Sequence, residues 1–112
     1  MQAKYFNHKT VYNGRVYDSK KEAKRAYELE MLQRAGLISN LEKQKVFELQ
    51  PSFKINGKTE RAITYLADFV YIKDGKTIVE DVKSAITKSL PVFRIKKKML
   101  LYKYPDIIFV ES

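Results

Sequence analysis

The chain reads as an α/β fold, a mixed sheet with helices packed on it, in the order helix, three strands, helix, strand (αβββαβ). Three observations predict it. Two stretches carry apolar residues at helical spacing, Ser19–Ala35 and Val92–Tyr104. Between them, "YLADFVYIKDGKTIVEDVKS" (Tyr65–Ser84) forms two apolar, β-branched arms around Asp74-Gly75, a two-residue turn signal. The chain then closes on "IIFVE" (Ile107–Glu111), a nearly all-apolar strand of the kind buried on both faces. Strands and helices in this alternation pack as layers around one core, so the 112 residues are read as a single domain spanning 1–112.

Each element has a local reason. "VYNGRVY" predicts a short hairpin through Asn13-Gly14, within an N-terminal hairpin segment of about residues 5–17. The first helix runs "SKKEAKRAYELEMLQRA" and stops at Gly36, with Ala23, Ala26, Tyr27, Leu29, Leu32 and Ala35 as its inward stripe. "KVFEL" (Lys45–Leu49) is a short strand stopped by Pro51, and Asn56-Gly57 suggests a protruding loop or small hairpin within Phe53–Ile63. The central arms are Tyr65–Lys73 and Lys76–Ser84. "SAITKSLP" is a polar connection, and the second helix ends before Pro105.

Composition narrows the function. A hydrophobic content of 45% and a charged content of 31% are globular values. The absence of cysteine excludes a disulfide scaffold and a thiolate zinc site and fits a reducing cytoplasm. No apolar stretch is long enough to span a membrane, and the N-terminus lacks a signal-peptide core. Twenty-two Lys and Arg against thirteen Asp and Glu give a net charge of +9, which favours polyanionic partners, nucleic acid first among them.

The sharpest feature is a pair of acids inside the apolar arms. With Asp74-Gly75 as the turn, Lys73 faces Lys76, Val70 faces Val79 and Asp68 faces Asp81. Facing side chains point to one side with Cβ atoms roughly 4.5–5.5 Å apart, where like charges repel. Lys83 shares the face of Asp81 by period-two alternation. Two carboxylates meeting beside an ammonium call for a cation, and a divalent metal with oxygen ligands is the obvious one. The alternative is an ordinary salt bridge of Lys83 with the two acids, or a slipped register. Glu80 falls on the opposite face from Asp68, where solvent or a basic partner is expected.

The order αβββαβ, with Asp68 on one strand and Asp81-Val82-Lys83 on the next, resembles the PD-(D/E)XK nucleases, a restriction-endonuclease-like core shared by Holliday junction resolvases. "VYNGRVYDSKKEAKRAYEL", "YLADFVYI" and "VEDVKS" resemble more closely a family of small phage-encoded proteins placed in that superfamily and catalogued as a domain of unknown function. The resemblance implies that Asp68 and Asp81 bind Mg²⁺ or Mn²⁺ and that the Val82 backbone carbonyl adds a ligand. It also implies that Lys83 orients the attacking water and steadies the phosphate charge. Glu22 matches the additional acid on the first helix, although Ser19-Lys20-Lys21-Glu22 is also a capping box. Ala67 stands where the motif's name has proline.

The activity implied is a metal-dependent endonuclease acting on DNA, duplex or branched, of phage or prophage origin, in the cytoplasm of a bacterial host. One site per chain implies a homodimer for cutting two strands. The alternative is a non-catalytic nucleic-acid-binding protein on the same fold. Two basic groups are expected to flank the substrate: Lys20, Lys21, Lys24 and Arg25 on the first helix, and Arg94, Lys96, Lys97 and Lys98 on the second. The latter group also reads as the solvated face of a helix. Gln44 reads as an edge residue near the site, the lone His8 as a surface residue, and the tyrosines and phenylalanines as core.

Overall fold

The computed structural model describes residues 9–112. Strands β1 (Thr10–Tyr12) and β2 (Arg15–Tyr17) form the N-terminal hairpin. Residues 5–8 of the expected segment, His8 included, lie outside the described residues. Asn13 and Gly14 both take positive φ, 52° and 77°, the conformation that two-residue hairpin turns require. Asn56-Gly57 and Asp74-Gly75 repeat that chemistry.

Helix α1 (Lys20–Arg34) begins at Ser19, whose Oγ accepts the Glu22 N–H at 3.1 Å. It ends in a Schellman pair, Gly36 N–H to the Gln33 carbonyl and Leu37 N–H to that of Leu32, with Gly36 left-handed at φ 80°. Ala23, Ala26 and Leu29 are buried as expected, but Tyr27 and Ala35 are exposed. Tyr27 instead meets Tyr12 of β1 edge-on, ring centroids 5.9 Å apart, and so pins the hairpin rather than filling the core.

Strand β3 (Ser39–Gln50) starts well before the expected Lys45. Its first half, "SNLEKQ", is polar because β3 lies at an edge of the sheet, where no apolar pattern is demanded. Left-handed Asn40 and Gln44 interrupt it. Strands β4 (Phe53–Ile55) and β5 (Lys58–Glu60) make the small hairpin, and β6 (Ile63–Lys73) and β7 (Lys76–Asp81) the central one. A five-residue helix, α2 (Ala85–Ser89), occupies the expected polar connection, with the Ser84 Oγ accepting the Thr87 N–H. Pro91 does not close that connection but opens helix α3 (Pro91–Lys103), since the first helical residue needs no N–H partner.

The main sheet has the order β3-β6-β7-β8, with β8 (Ile108–Glu111) parallel to β7 and the other pairs antiparallel. Ile108 is 41% exposed, so β8 is a half-covered edge strand and not one buried on both faces. One buried cluster joins α1 to Phe69, Tyr71 and Ile78, and the other joins Leu100 of α3 to Tyr65, Ala67, Val70 and Val79. Ala67 and Phe69, two apart on β6, belong to different clusters. Alternation along the strand therefore breaks at Asp68.

Glu80, expected to meet solvent or a basic partner, is wholly buried and has the basic partner. The Arg25 guanidinium donates to its two oxygens at 2.6 and 3.1 Å, the Tyr71 hydroxyl at 2.7 Å and the Ser112 hydroxyl at 2.8 Å. These donors hold the Glu80 carboxyl below its ordinary pKa although burial pushes it up. Removing one partner of such a pair leaves an uncompensated charge in the core. Arg25→Ala should lower unfolding free energy in urea by about 3 kcal/mol, near the low end for buried pairs because Arg25 is partly exposed. Arg25→Met with Glu80→Leu should recover most of that loss.

Candidate functional site

The register of β6 with β7 runs as the sequence predicts from Lys73–Lys76 through Val70–Val79 to Phe69–Glu80, and stops there. At the next position the side chains take over the ladder. Asp81 Oδ1 accepts the Asp68 N–H at 3.0 Å, and Asp68 Oδ2 accepts the Val82 N–H at 2.8 Å. Each carboxylate thus caps a backbone amide where the strands splay apart. β7 accordingly ends at Asp81 and not at Ser84. Asp81 is fully buried and Asp68 is 7% exposed.

The two acids meet but do not face one side, as straight alternation would have it. Asp68 lines a pocket of about 390 Å³ together with Asp18, Lys21 and Glu22 from the α1 side and Val82, Lys83 and Thr87 from the β7–α2 side. Asp81 lines a neighbouring pocket with Tyr65, Val92, Phe93 and Lys96. Lys83 and Thr87 border both, and Lys83 Nζ lies 4.0 Å from Asp68 Oδ2. The break in alternation at Asp68 is the cause: it turns Asp68 toward α1, the side on which Glu80 holds Arg25, and so overturns the expectation that Asp68 and Glu80 lie on opposite faces.

Glu22 leaves the capping role half done. Ser19 caps its N–H, while the Glu22 carboxylate is 4% exposed, with Oε2 buried and without a hydrogen-bond partner. Burial, then the charges of Asp68 and Asp18, push its pKa up to about 7, against the pull of Lys83 and a hydrogen bond from Gln44. Burial also raises Asp68, opposed by Lys83 and the Val82 N–H, and Asp81, opposed by Lys83 and the Asp68 N–H. Among the described residues Asp81 Oδ2 is the second buried carboxylate oxygen without a partner. Among the described residues no three acids or histidines stand close enough together to enclose a metal ion. The donors on offer are Glu22 and Asp68 in one pocket and Asp81 in the next. Mg²⁺ keeps several waters and takes only one or two carboxylates, so either set suits it, and the orphaned oxygen in each would gain a partner from such a cation.

The sequence missed Asp18, which lines the pocket and adds negative charge to Glu22 and Asp68; its signal was its place just before the N-cap of the helix that carries Glu22. Gln44 sits left-handed at φ 55°, at the β3 position across from Asp68, and its side chain reaches Glu22. The basic residues divide. Lys20, Lys21, Lys24, Arg94 and Lys98 are exposed, and Lys96 borders the pocket of Asp81. Arg25 is committed to Glu80 and Glu28, and Lys97 to Glu111 at 2.6 Å, over the Phe109 ring. Those two are structural ties and not free walls of a groove.

A mixed α/β sheet thus carries a cluster of buried acids and one lysine where its central hairpin opens. The chain belongs to the family described as "Protein of unknown function (DUF1064)", whose model matches residues 2–110. No curated protein and no solved structure matches it. No helix among the described residues is long and apolar enough to cross a membrane.

The Glu22 carboxyl gives the site a pH signature. Held at about 7 in the fold against an ordinary 4.5, it binds more protons folded than unfolded. Its contribution to stability is present below about 4.5 and is lost as pH rises through about 7. Glu22→Gln abolishes that loss. Its stability relative to the parent, from urea unfolding between pH 4 and 8, should climb across this window by up to about 3 kcal/mol and then level off.

Proposed function

We propose that the protein is a divalent-metal-dependent endonuclease that hydrolyses DNA phosphodiester bonds. The observation that carries this reading is the pair of buried, partnerless carboxylate oxygens, Glu22 Oε2 and Asp81 Oδ2, on either side of Lys83 in a chain of net charge +9. Buried acids with raised pKa values in a concave site beside a specific cation are the hallmark of functional groups. The resemblance of Asp68, Asp81-Val82-Lys83 and Glu22 to the PD-(D/E)XK pattern supports the same reading.

Asp68 and Asp81 would hold Mg²⁺ or Mn²⁺, with the Val82 carbonyl as a further oxygen. The bound cation supplies Lewis-acid polarisation of the phosphate and of water. Lys83 places its ammonium at the border of both pockets, where it neutralises charge developing on the phosphate oxygens and aligns the attacking water. Glu22, with its pKa near neutrality, is poised to hold or release a proton at the pocket floor. Lys20, Lys21, Lys24, Arg94, Lys96 and Lys98 would position the backbone of the nucleic acid. A homodimer supplies the second site for cutting the opposite strand or for resolving a branched junction.

One observation favours the alternative, a non-catalytic nucleic-acid-binding protein: Asp68 and Asp81 already serve the backbone as amide caps. Cleavage separates the two. Linear duplex, single-stranded and four-way-junction DNA are incubated with Mg²⁺ or Mn²⁺ and, in parallel, with EDTA. Cutting should require the metal and should fall by about 10²–10³-fold or more in Asp81→Asn, which keeps an acceptor for the Asp68 N–H while removing the charge. Lys83→Ala should lower kcat by a similar factor with little change in KM. Absence of cutting with any substrate and either metal, with binding retained, would leave the non-catalytic reading.

A further inference from the structure

The hairpin of β4 and β5 has no layer to rest on. Every residue from Pro51 to Arg61 is exposed, including Phe53 at 45% and Ile55 at 52%. An isolated two-stranded hairpin is marginal in water, and this one also holds two large apolar side chains in solvent. The side chains of Lys54, Lys58, Glu60 and Arg61 have no ion pair or hydrogen bond among the described residues. Such an arm is built for a partner.

We propose that the β4–β5 arm is a nucleic-acid-binding ribbon that enters the major groove of duplex DNA. The inference rests on the nucleic-acid reading given above and names how that substrate is held. Its charge, three cations against one acid, suits a polyanion and would repel a second copy of this +9 chain. Its size also suits the groove. Three residues per strand span about 10 Å, with strands about 4.8 Å apart. The major groove, about 12 Å wide and about 8.5 Å deep, admits a two-stranded ribbon. The register Phe53–Glu60, Lys54–Thr59, Ile55–Lys58 puts Phe53, Ile55, Lys58 and Glu60 on one face and Lys54 and Thr59 on the other. Phe53 and Ile55 meet base edges and thymine methyls, Glu60 beside them is an acceptor for a cytosine amino group, Lys58 reaches from the same face to a phosphate at the groove edge, and Lys54 and Arg61 take further phosphates.

The test is duplex binding by fluorescence anisotropy over a salt series in EDTA, where metal-dependent cutting does not enter. The protein is compared with Lys54→Ala/Lys58→Ala/Arg61→Ala and with Phe53→Ala/Ile55→Ala. The triple variant should bind more weakly, with a log K against log salt slope shallower by roughly 2–3, about 0.9 per lost phosphate contact. The double variant should lose affinity at unchanged slope. Both should unfold at the parent temperature, because the arm lies outside the two buried clusters. Parental affinity and slope in both variants would overturn the arm while leaving the nuclease reading standing. Arm-dependent binding without cutting under any metal would support the arm and overturn the nuclease. Absence of binding by the parent, or a variant that changes only the sedimentation of the protein, would overturn the arm as a DNA ribbon.

Discussion

The exchange of carboxylates for carbonyls at the open end of the central hairpin is the constraint on which the site depends. Past Phe69–Glu80 the two strands no longer pair through their backbones, yet the freed amides are buried and need acceptors. Asp81 serves the amide of Asp68, and Asp68 serves that of Val82. The acids therefore stand in the sheet for a structural reason. The catalytic role proposed for them would start from positions that the backbone already fixes, which is the preorganisation an active site needs.

Four acids around the open end of the hairpin meet different fates because their surroundings differ. Glu80 has four donors from Arg25, Tyr71 and Ser112 and is kept ionised. Asp68 and Asp81 have one backbone amide each and a lysine shared between them, and burial raises both. Glu22 has Lys83 and Gln44 against burial and the charges of Asp68 and Asp18, and its carboxyl is pushed up to about 7. A saturated ion pair locks α1 to β7, and a few residues away the unsaturated acids remain available for chemistry.

Much of this was legible in the chain. The helix boundaries, the Asn-Gly and Asp-Gly turns and the hairpin register follow from local chemistry, and the structure reproduces them to within a residue or two. The basic partner of Glu80 was one of two expectations for it, the other being solvent, and the opposite-face argument behind them did not hold. What was not legible came from tertiary context. The polar half of β3 carries no apolar period because it is an edge. The break at Asp68 cannot be read from composition, since "LADFV" alternates as well straight as kinked. Straight alternation therefore placed Asp68 and Asp81 on one face, whereas the structure opens them to adjoining pockets. Arg25 and Lys97 looked like free surface cations because their partners, Glu80 and Glu111, are 55 and 14 residues away in sequence.

A crystal soaked in Mn²⁺ would test whether the two caps of the hairpin also hold a divalent cation, as proposed. One anomalous peak is expected, bounded by the carboxylates of Asp68 and Asp81 and about 2 Å from an oxygen of each, with the Asp81 Oδ2 no longer without a partner. Crystals that take up no Mn²⁺ there, with both carboxylates still closed on the Asp68 and Val82 amides, would contradict it.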